Sequence, residues 1–498
     1  MEGFFDSLAR INGAVNEFVW VKIGLFLLLG TGIITTCCTG FFQLSHLKHW
    51  WRATIGSIFK KNSESTRKTD KKSISQFQAL CTALAATIGT GNIAGVSAAI
   101  VLGGPGAVFW MWVAAFFGMM TKFSENVLGI YFRHKNENGE WAGGTMYYLK
   151  NGLARYKHGK KPGIILAGMF AVFAIFASLG TGNLAQVNKI TLNLQSAFFK
   201  GVDMGTVGGV PVLPLLIGLV LTVLAGISII GGLQRIASVA EKIVPVMASL
   251  YVVGVMVLFF MHIDMVGAVF FSIFQFAFGI RAMAGGVVGV TISQVITQGF
   301  KRGVFSNEAG LGSSVMIHAS SNVKEPVQQG MWGVFEVFFD TFVICTMTAV
   351  TVLSSGYIDL NTGMAAAGVN DATLVSQAFG NTFGILGEMF VAVAILLFAF
   401  TTILGWSQYG CQAVEYLFGT KAAKVFRVLF VLLTCAGAIM NSTLAWDISD
   451  TFNGLMMVPN LIGVITMTPL VAKLTKNYVN RVIKGKNEPE MTSYLDEQ

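Results

Sequence analysis

Long apolar runs separated by short polar segments are the feature that most limits the folds open to this chain. Most of the runs exceed the ~20 residues that a helix needs to cross the hydrocarbon core of a bilayer. They lack the alternation of barrel strands, so only helices can satisfy their backbone groups in lipid. Charged residues make up 12% of the 498 residues, too few for a water-soluble surface of this size. The sequence predicts an all-α polytopic membrane protein and excludes secreted enzymes and nucleic-acid binders.

The apolar runs predict about eleven transmembrane helices. Their approximate bounds are 18–43, 77–102, 106–131, 163–196, 211–232, 238–261, 266–300, 330–354, 383–409, 422–441 and 446–472. One leading span followed by two groups of five fits a five-plus-five inverted repeat with one extra N-terminal helix. The predicted parts are a leading helix with a basic loop (1–76), two five-helix repeats (77–261 and 262–475) and a polar tail (476–498).

Lysine and arginine are concentrated in alternate loops. The loop 44–76 carries eight basic residues, whereas the next loop, 103–106, carries none. By the positive-inside rule the basic loops lie in the cytoplasm, and they account for the net charge of +9 without nucleic acid. The N-terminus is therefore expected outside and the C-terminus inside, which requires an odd number of spans.

Two glycine-containing runs are predicted to interrupt their helices. In span 77–102 the run is Gly89-Thr90-Gly91-Asn92, and in the later span it is Gly285-Gly286-Val287. Unwinding frees backbone N–H groups for a carboxylate and carbonyl groups for a desolvated Na⁺. The alternative is a glycine face for close helix packing. Nearby Arg281 is expected at the outer surface or in a wet cavity, because a lone arginine is costly within lipid.

Polar side chains within two other spans have both functional and structural interpretations. Asn183, Gln186 and Asn188 could line a polar path or join helices by hydrogen bonds. Thr402 and Trp406, one helical turn apart, could line a small-solute pocket, or Trp406 could belong to an interfacial aromatic belt.

The acids Glu336 and Asp340 lie one turn apart on span 330–354. They could relay protons or form structural ion pairs. The histidines and cysteines have no metal-ligand spacing, and no nucleophile–base set is visible, so neither an enzyme nor a cofactor is predicted.

Several long motifs resemble one transporter family. They are GGPGAVFWMWVAAFFG at 103–118, IGTGNIAGV at 88–96, GTGNLAQVN at 180–188, GVFSNEAGLGSS at 303–314 and ILGWSQYG at 403–410. The sequence resembles the alanine-or-glycine:cation symporters, also called the sodium:alanine symporter family. The resemblance implies a leucine-transporter-like fold and Na⁺-coupled uptake of alanine or glycine across a bacterial inner membrane. It implies Na⁺, the amino acid and membrane lipid as partners, with no nucleic acid, partner protein or cofactor.

The resemblance also implies the site residues. Those expected to bind substrate are Gly89, Thr90, Gly91, Asn92, Gln186, Gly285, Gly286, Val287, Thr402 and Trp406. Val287 stands where a phenylalanine is expected, so the pocket should differ in shape there. The residues expected to bind Na⁺ are Asn92 at one site and Ala85, Ile88 and Thr401 at a second. The rival hypothesis is H⁺ coupling with Asp340 or Glu336 as the carrier.

Overall fold

The computed structural model describes residues 2–60, 65–66, 72–278, 291–366, 368–369, 371–440 and 443–497. These residues form a mostly helical fold. In chain order the principal helices are α1 (Asp6–Cys38), α2 (Gln76–Thr87), α3 (Gly91–Gly103), α4 (Gly106–Tyr131), α5 (Lys160–Phe198), α6 (Val212–Ile229), α7 (Gly232–Met261), α8 (Ile263–Ala277), α9 (Ile292–Asn307), α10 (Pro326–Leu353), α11 (Ile385–Ile439) and α12 (Asp447–Ile483).

Short elements connect the long helices. The short helices are Phe42–Ser45, Leu47–Ala53, Ile55–Ile58, Thr145–Tyr147, Tyr148–Gly152, Val315–His318, Leu374–Phe383 and Tyr494–Glu497. Two antiparallel hairpins pair β1 (His134–Lys135) with β2 (Trp141–Ala142) and β3 (Thr206–Val207) with β4 (Val210–Pro211).

Within the described residues, eight helices are long and apolar enough to cross a membrane, or nine if α2 and α3 form one bent span. The 55-residue α11 covers two predicted spans, 383–409 and 422–441, and Gly419 (φ 83°, ψ 175°) divides it. The predicted span 266–300 falls on α8, on α9 and on residues outside the described ones. Helix α6 exposes a row of large aliphatic side chains, including Leu219, Val223 and Ile227, as expected of a surface that faces lipid.

Capping side chains fix where two of the helices begin. The Ser75 hydroxyl accepts from the Gln78 N–H while the Gln78 side chain accepts from the Ser75 N–H, which completes a capping box before α2. Thr291 and Gln294 form the same reciprocal pair before α9. Both boxes satisfy N–H groups that a helix terminus leaves without intrahelical partners.

The core is built from a few extensive helix contacts. Helix α4 packs on α9 and α10, while α5 packs on α11 and α12, and α2 packs between α7 and α11. Close approach depends on small residues, as where a Cβ on Gly299 of α9 would lie 2.5 Å from Trp110 Cβ of α4. This arrangement brings the break between α2 and α3 against α9, α10 and α11.

Candidate functional site

The first predicted interruption is present. Helix α2 ends at Thr87, Ile88 is extended (φ −76°, ψ 90°), and α3 leaves at 54° to α2. A Cβ on Gly89 would lie 2.5 Å from Thr402 Oγ1 of α11, so the break needs glycine here. The predicted residues Gly89 and Thr402 are therefore in contact.

Asn92 closes this break with its side chain. Its Oδ1 accepts from the Gly89 N–H at 3.0 Å, which caps the start of the second half-helix. Its Nδ2 donates to Asp340 Oδ1 of α10 at 2.6 Å. Asn92 is fully buried, and its amide joins the break to a carboxylate that lies 248 positions away in the chain.

Asp340 is fully buried and held by neutral groups. Besides Asn92, its carboxylate accepts from Ser306 Oγ at 2.8 Å and Thr341 Oγ1 at 3.0 Å. Within the part of the chain that the structure describes, none of the ion pairs includes Asp340. A buried carboxylate without a cationic side chain is suited to hold a small cation or a proton.

A second interruption faces the first, at a place that sequence reasoning missed. Helix α9 ends at Asn307, Glu308 is left-handed (φ 55°), and a short helix resumes at Val315. A Cβ on Gly91 would lie 3.2 Å from Phe305 Cδ1, so the two interrupted segments are in contact. The signal was available in the motif at 303–314, where an acid precedes alternate glycines.

The second break that the sequence predicted lies elsewhere. Gly285, Gly286 and Val287, together with Arg281, fall outside the described residues. Their roles stay predictions. In the described residues, α9 ends at Asn307, and this end of α9 contacts the first break.

Gln186 of α5 contacts the first break at Thr90. Its Oε1 accepts from Thr90 Oγ1 at 3.0 Å, and its Nε2 donates to the Thr181 carbonyl at 3.1 Å. Both Thr90 and Gln186 are almost fully buried. The neighbouring amides have different partners: Asn183 donates to a carbonyl of α11, and Asn188 donates to the Met440 carbonyl just beyond α11. These two amides therefore join helices by hydrogen bonds.

Trp406 is 3% exposed, which excludes the interfacial aromatic belt. It packs on α5, where a Cβ on Gly182 would lie 2.3 Å from Trp406 Cβ. Thr401 Oγ1 donates to the Phe398 carbonyl at 2.9 Å and lies 3.5 Å from Met247 Sδ. The remaining predicted residues of the second Na⁺ site, Ala85 and Ile88, are fully buried.

Three π-helical stretches meet around these residues. They are Gly91–Gly95 of α3, Gly180–Leu184 of α5 and Phe338–Cys345 of α10. Each extra residue in a helical turn alters which backbone groups are paired, and such bulges are frequent at functional sites. Here they carry Asn92, Thr181 and Asp340 respectively.

Of the cavities in the described part of the chain, two have walls formed partly by helices of this region. One, of ≈ 200 Å³, is lined by Thr90, Ala94 and Phe305 together with Lys189, Arg302, Asp371, Asp447 and Asp450. The other, of ≈ 370 Å³, is lined by Gln408 and Gln412 of α11 and by loop residues such as Lys72, Glu140 and Arg427. Thr90 therefore belongs both to the first break and to a cavity of small-solute size.

Glu336 lies apart from these cavities. Its Oε1 is 3.4 Å from Lys122 Nζ, and its Oε2 is 2.9 Å from His318 Nε2. The acid is thus held in a buried ion pair, the structural alternative that the sequence had left open.

Comparisons with known proteins agree with the geometry. The chain is 41% identical to the sodium/alanine symporter AgcS of Methanococcus maripaludis over 97% of this chain and 99% of that protein. It is 35% identical to the probable sodium/glutamine symporter GlnT of Bacillus subtilis, over 96% of this chain and 92% of that protein. Its fold resembles that of MhsT crystallised with L-phenylalanine, with a TM-score of 0.52, 13% identity, and coverage of 82% of this chain and 99% of that one.

The likeness to MhsT supports a leucine-transporter-like fold, while the sequence comparison shows the family. The profile of the sodium:alanine symporter family matches residues 5–493, nearly the whole chain. Because this profile covers nearly the whole chain and a sodium/alanine symporter is 41% identical to it, this chain belongs to the sodium:alanine symporter family.

Proposed function

We propose that this protein is a sodium-coupled symporter that takes up alanine or glycine. One observation carries the proposal: Thr90 stands at a broken helix, beside a buried carboxylate site, and lines a cavity of ≈ 200 Å³. A cavity of this size favours a small amino acid.

The substrate carboxylate would bind at the start of α3, around Thr90 and Gly91. The first N–H groups of a helix have no intrahelical partners, and the helix dipole favours an anion there. Gln186 would orient the zwitterion, because its amide already contacts Thr90. Thr402 and Trp406 would form the wall from α11, and Gly285, Gly286 and Val287 are proposed as a further wall.

A sodium ion would bind between Asn92, Ser306 and Asp340. The Asp340 carboxylate and the Ser306 hydroxyl offer oxygen ligands that suit a hard cation, and Asn92 would add a third by turning its Oδ1 from the Gly89 N–H to the ion. A second ion is proposed near the backbone of Ala85 and Ile88 with the Thr401 hydroxyl. The ion at Asp340 would neutralise the carboxylate and hold the two breaks together, which couples ion and substrate binding through one conformation.

The wider architecture is proposed to be eleven membrane spans in a five-plus-five inverted repeat. The interrupted pair α2–α3 and the interruption after α9 support it, since each would open one repeat. The basic loops support a cytoplasmic C-terminus and an outer N-terminus. Rocking of one repeat against the other would open the two cavities alternately.

The test is uptake of labelled alanine, glycine and glutamine into proteoliposomes with Na⁺, Li⁺ or H⁺ gradients imposed separately. We expect accumulation of alanine or glycine that follows the Na⁺ gradient at fixed pH. Glutamine is included because a relative bears that name. Accumulation of none of the three under a Na⁺ gradient, by protein that is folded and inserted, would contradict the proposal.

A second candidate, H⁺ coupling with Asp340 as carrier, is favoured by the neutral donors around that carboxylate. Glu336 is less suited, because it already pairs with Lys122 and His318. Uptake that follows a pH gradient in Na⁺-free medium would support this candidate over the first.

A further inference from the structure

The proposed symport cycle assigns no ligand to the larger of the two cavities. This inner cavity, of ≈ 370 Å³, is bounded by the hairpin β1–β2, the turn between α6 and α7, and α11. Lys72, which also lines it, belongs to the basic loop 44–76 that is proposed to lie in the cytoplasm. The residues of the inner cavity used below are Trp141, Leu233, Gln408, Gln412, Glu415 and Arg427.

A polar stripe on α11 forms one wall of the inner cavity. Gln408, Gln412 and Glu415 are spaced i, i+4 and i+7, so they lie on successive turns of one face of the helix. Thr402 and Trp406, the proposed wall of the substrate site, lie on the preceding turns of the same helix. The stripe therefore begins close to the proposed substrate site and leads away from it.

Two oxygens of this stripe lack a donor. Gln408 Oε1 and Gln412 Oε1 accept no hydrogen bond from any of the described residues, although the two residues are only 5% and 9% exposed. Glu415 Oε1 accepts from Asn136 Nδ2 at 2.9 Å. A buried carbonyl oxygen without a donor is unfavourable, so the stripe is suited to a ligand that brings N–H groups of its own.

Arg427 places a positive charge beside the stripe. Its guanidinium hydrogen-bonds Cys411, the residue next to Gln412. A Cβ on Gly232 would lie 3.3 Å from Arg427 Nη1, so the guanidinium also rests against the start of α7. Among the described residues, none of the ion pairs includes Arg427. A guanidinium held in this way can bind a carboxylate through two parallel N–H groups.

The two features together match the chemistry of a free amino acid. The ammonium group of a zwitterion supplies donors for the glutamine oxygens, and its carboxylate suits Arg427. Trp141 and Leu233 add apolar surface for a side chain. A simple anion would leave the glutamine oxygens without donors, and a metal cation would be repelled by Arg427 and Lys72.

We propose that the inner cavity is a second amino-acid site, in which Gln408 and Gln412 accept from the ammonium group and Arg427 binds the carboxylate. The choice of alanine as its ligand rests on the proposed function, but the site shares no residue with the proposed substrate and sodium sites. An amino acid released towards the cytoplasm would meet this second site next along α11. Its larger volume would also admit side chains bigger than that of alanine.

Equilibrium dialysis of labelled alanine against the purified full-length protein tests the second site. The proposed substrate site depends on sodium, whereas the inner cavity includes none of the proposed sodium ligands. We therefore expect two classes of bound alanine in Na⁺ medium and one class in choline medium. The class that remains without Na⁺ is the one assigned to the inner cavity.

Two substitutions should weaken this Na⁺-independent class. Gln412→Leu and Arg427→Gln each remove a hydrogen bond to a charged group of the ligand, so each should raise its dissociation constant about 10-fold or more. Lys424→Gln is the matched control, because it removes an exposed positive charge one turn before Arg427 and should leave this class unchanged. An unchanged elution profile in size-exclusion chromatography identifies the variants that are folded.

The two classes also separate the two proposals. Absence of Na⁺-independent binding in the wild type, or binding that both cavity variants retain at full affinity, would overturn the second site. Absence of the Na⁺-dependent class alone would instead count against the proposed symport of alanine.

Discussion

Replacing Asn92 with alanine removes two interactions of different kinds at one position. The first is the cap on Gly89 N–H, and loss of such a cap costs about 1 kcal/mol. The second is the hydrogen bond to the Asp340 carboxylate, and a bond to a charged group contributes about 1.5–3 kcal/mol. The cap stabilises the break itself, whereas the second bond orients the group proposed to bind sodium.

If Asn92 also ligates the ion, losing the second hydrogen bond should lower the affinity of the site for sodium by the same free energy. Since about 1.4 kcal/mol corresponds to a tenfold change in an equilibrium constant, Asn92→Ala should raise the half-saturating Na⁺ concentration about 10- to 100-fold. The assay is initial-rate uptake of labelled substrate into proteoliposomes across a Na⁺ series, normalised to inserted protein.

The chain offers a matched control in Asn183→Ala. Asn183 is also a fully buried amide, and its Nδ2 donates to the Phe430 carbonyl at 2.7 Å, away from the first break. It should lose stability without a comparable change in sodium dependence. Equal half-saturating Na⁺ for the two variants would remove Asn92 from the ion site and leave it only the role of a cap.

Three further substitutions probe the same region. Gly89→Ala should abolish uptake, because its Cβ would lie 2.5 Å from Thr402 Oγ1. Adding Thr402→Ala to that variant should restore part of the uptake in the same assay. No restoration would contradict the contact. Gly182→Ala would overpack the contact with Trp406 at a cost of about 1–3 kcal/mol. It should change the uptake of larger amino acids relative to glycine, whereas a purely structural loss would lower the uptake of all of them equally. Asp340→Asn should eliminate sodium-driven uptake, and retained Na⁺ dependence would exclude Asp340 as an ion ligand.

The first break was predictable because its evidence is local. Glycine on both sides of Thr90, followed by Asn92, stands in an otherwise apolar run, and a lipid environment makes that polarity expensive. A pocket role for Gln186 followed only from the family resemblance, because an amide within a span can also join helices. The sequence could not reveal that Asn92 caps Gly89, because the capping geometry depends on where Asp340 holds the other end of the amide.

The second break was missed because glycines in an apolar run have two meanings, close packing or unwinding. Sequence reasoning predicted the second interruption at Gly285-Gly286 and none at Glu308. Only contact with Gly91 distinguishes the buried interruption from a loop. The pairing of Lys122 with Glu336 was likewise hidden, since it joins α4 to α10 across 214 positions.

Helix α10 connects the two acidic regions that the structure brings out. Asp340 and Glu336 are one turn apart on it, and the π-helical stretch that begins at Phe338 lies at their junction. The buried ion pair of Glu336 with Lys122 therefore anchors the helix that carries the carboxylate proposed to bind sodium.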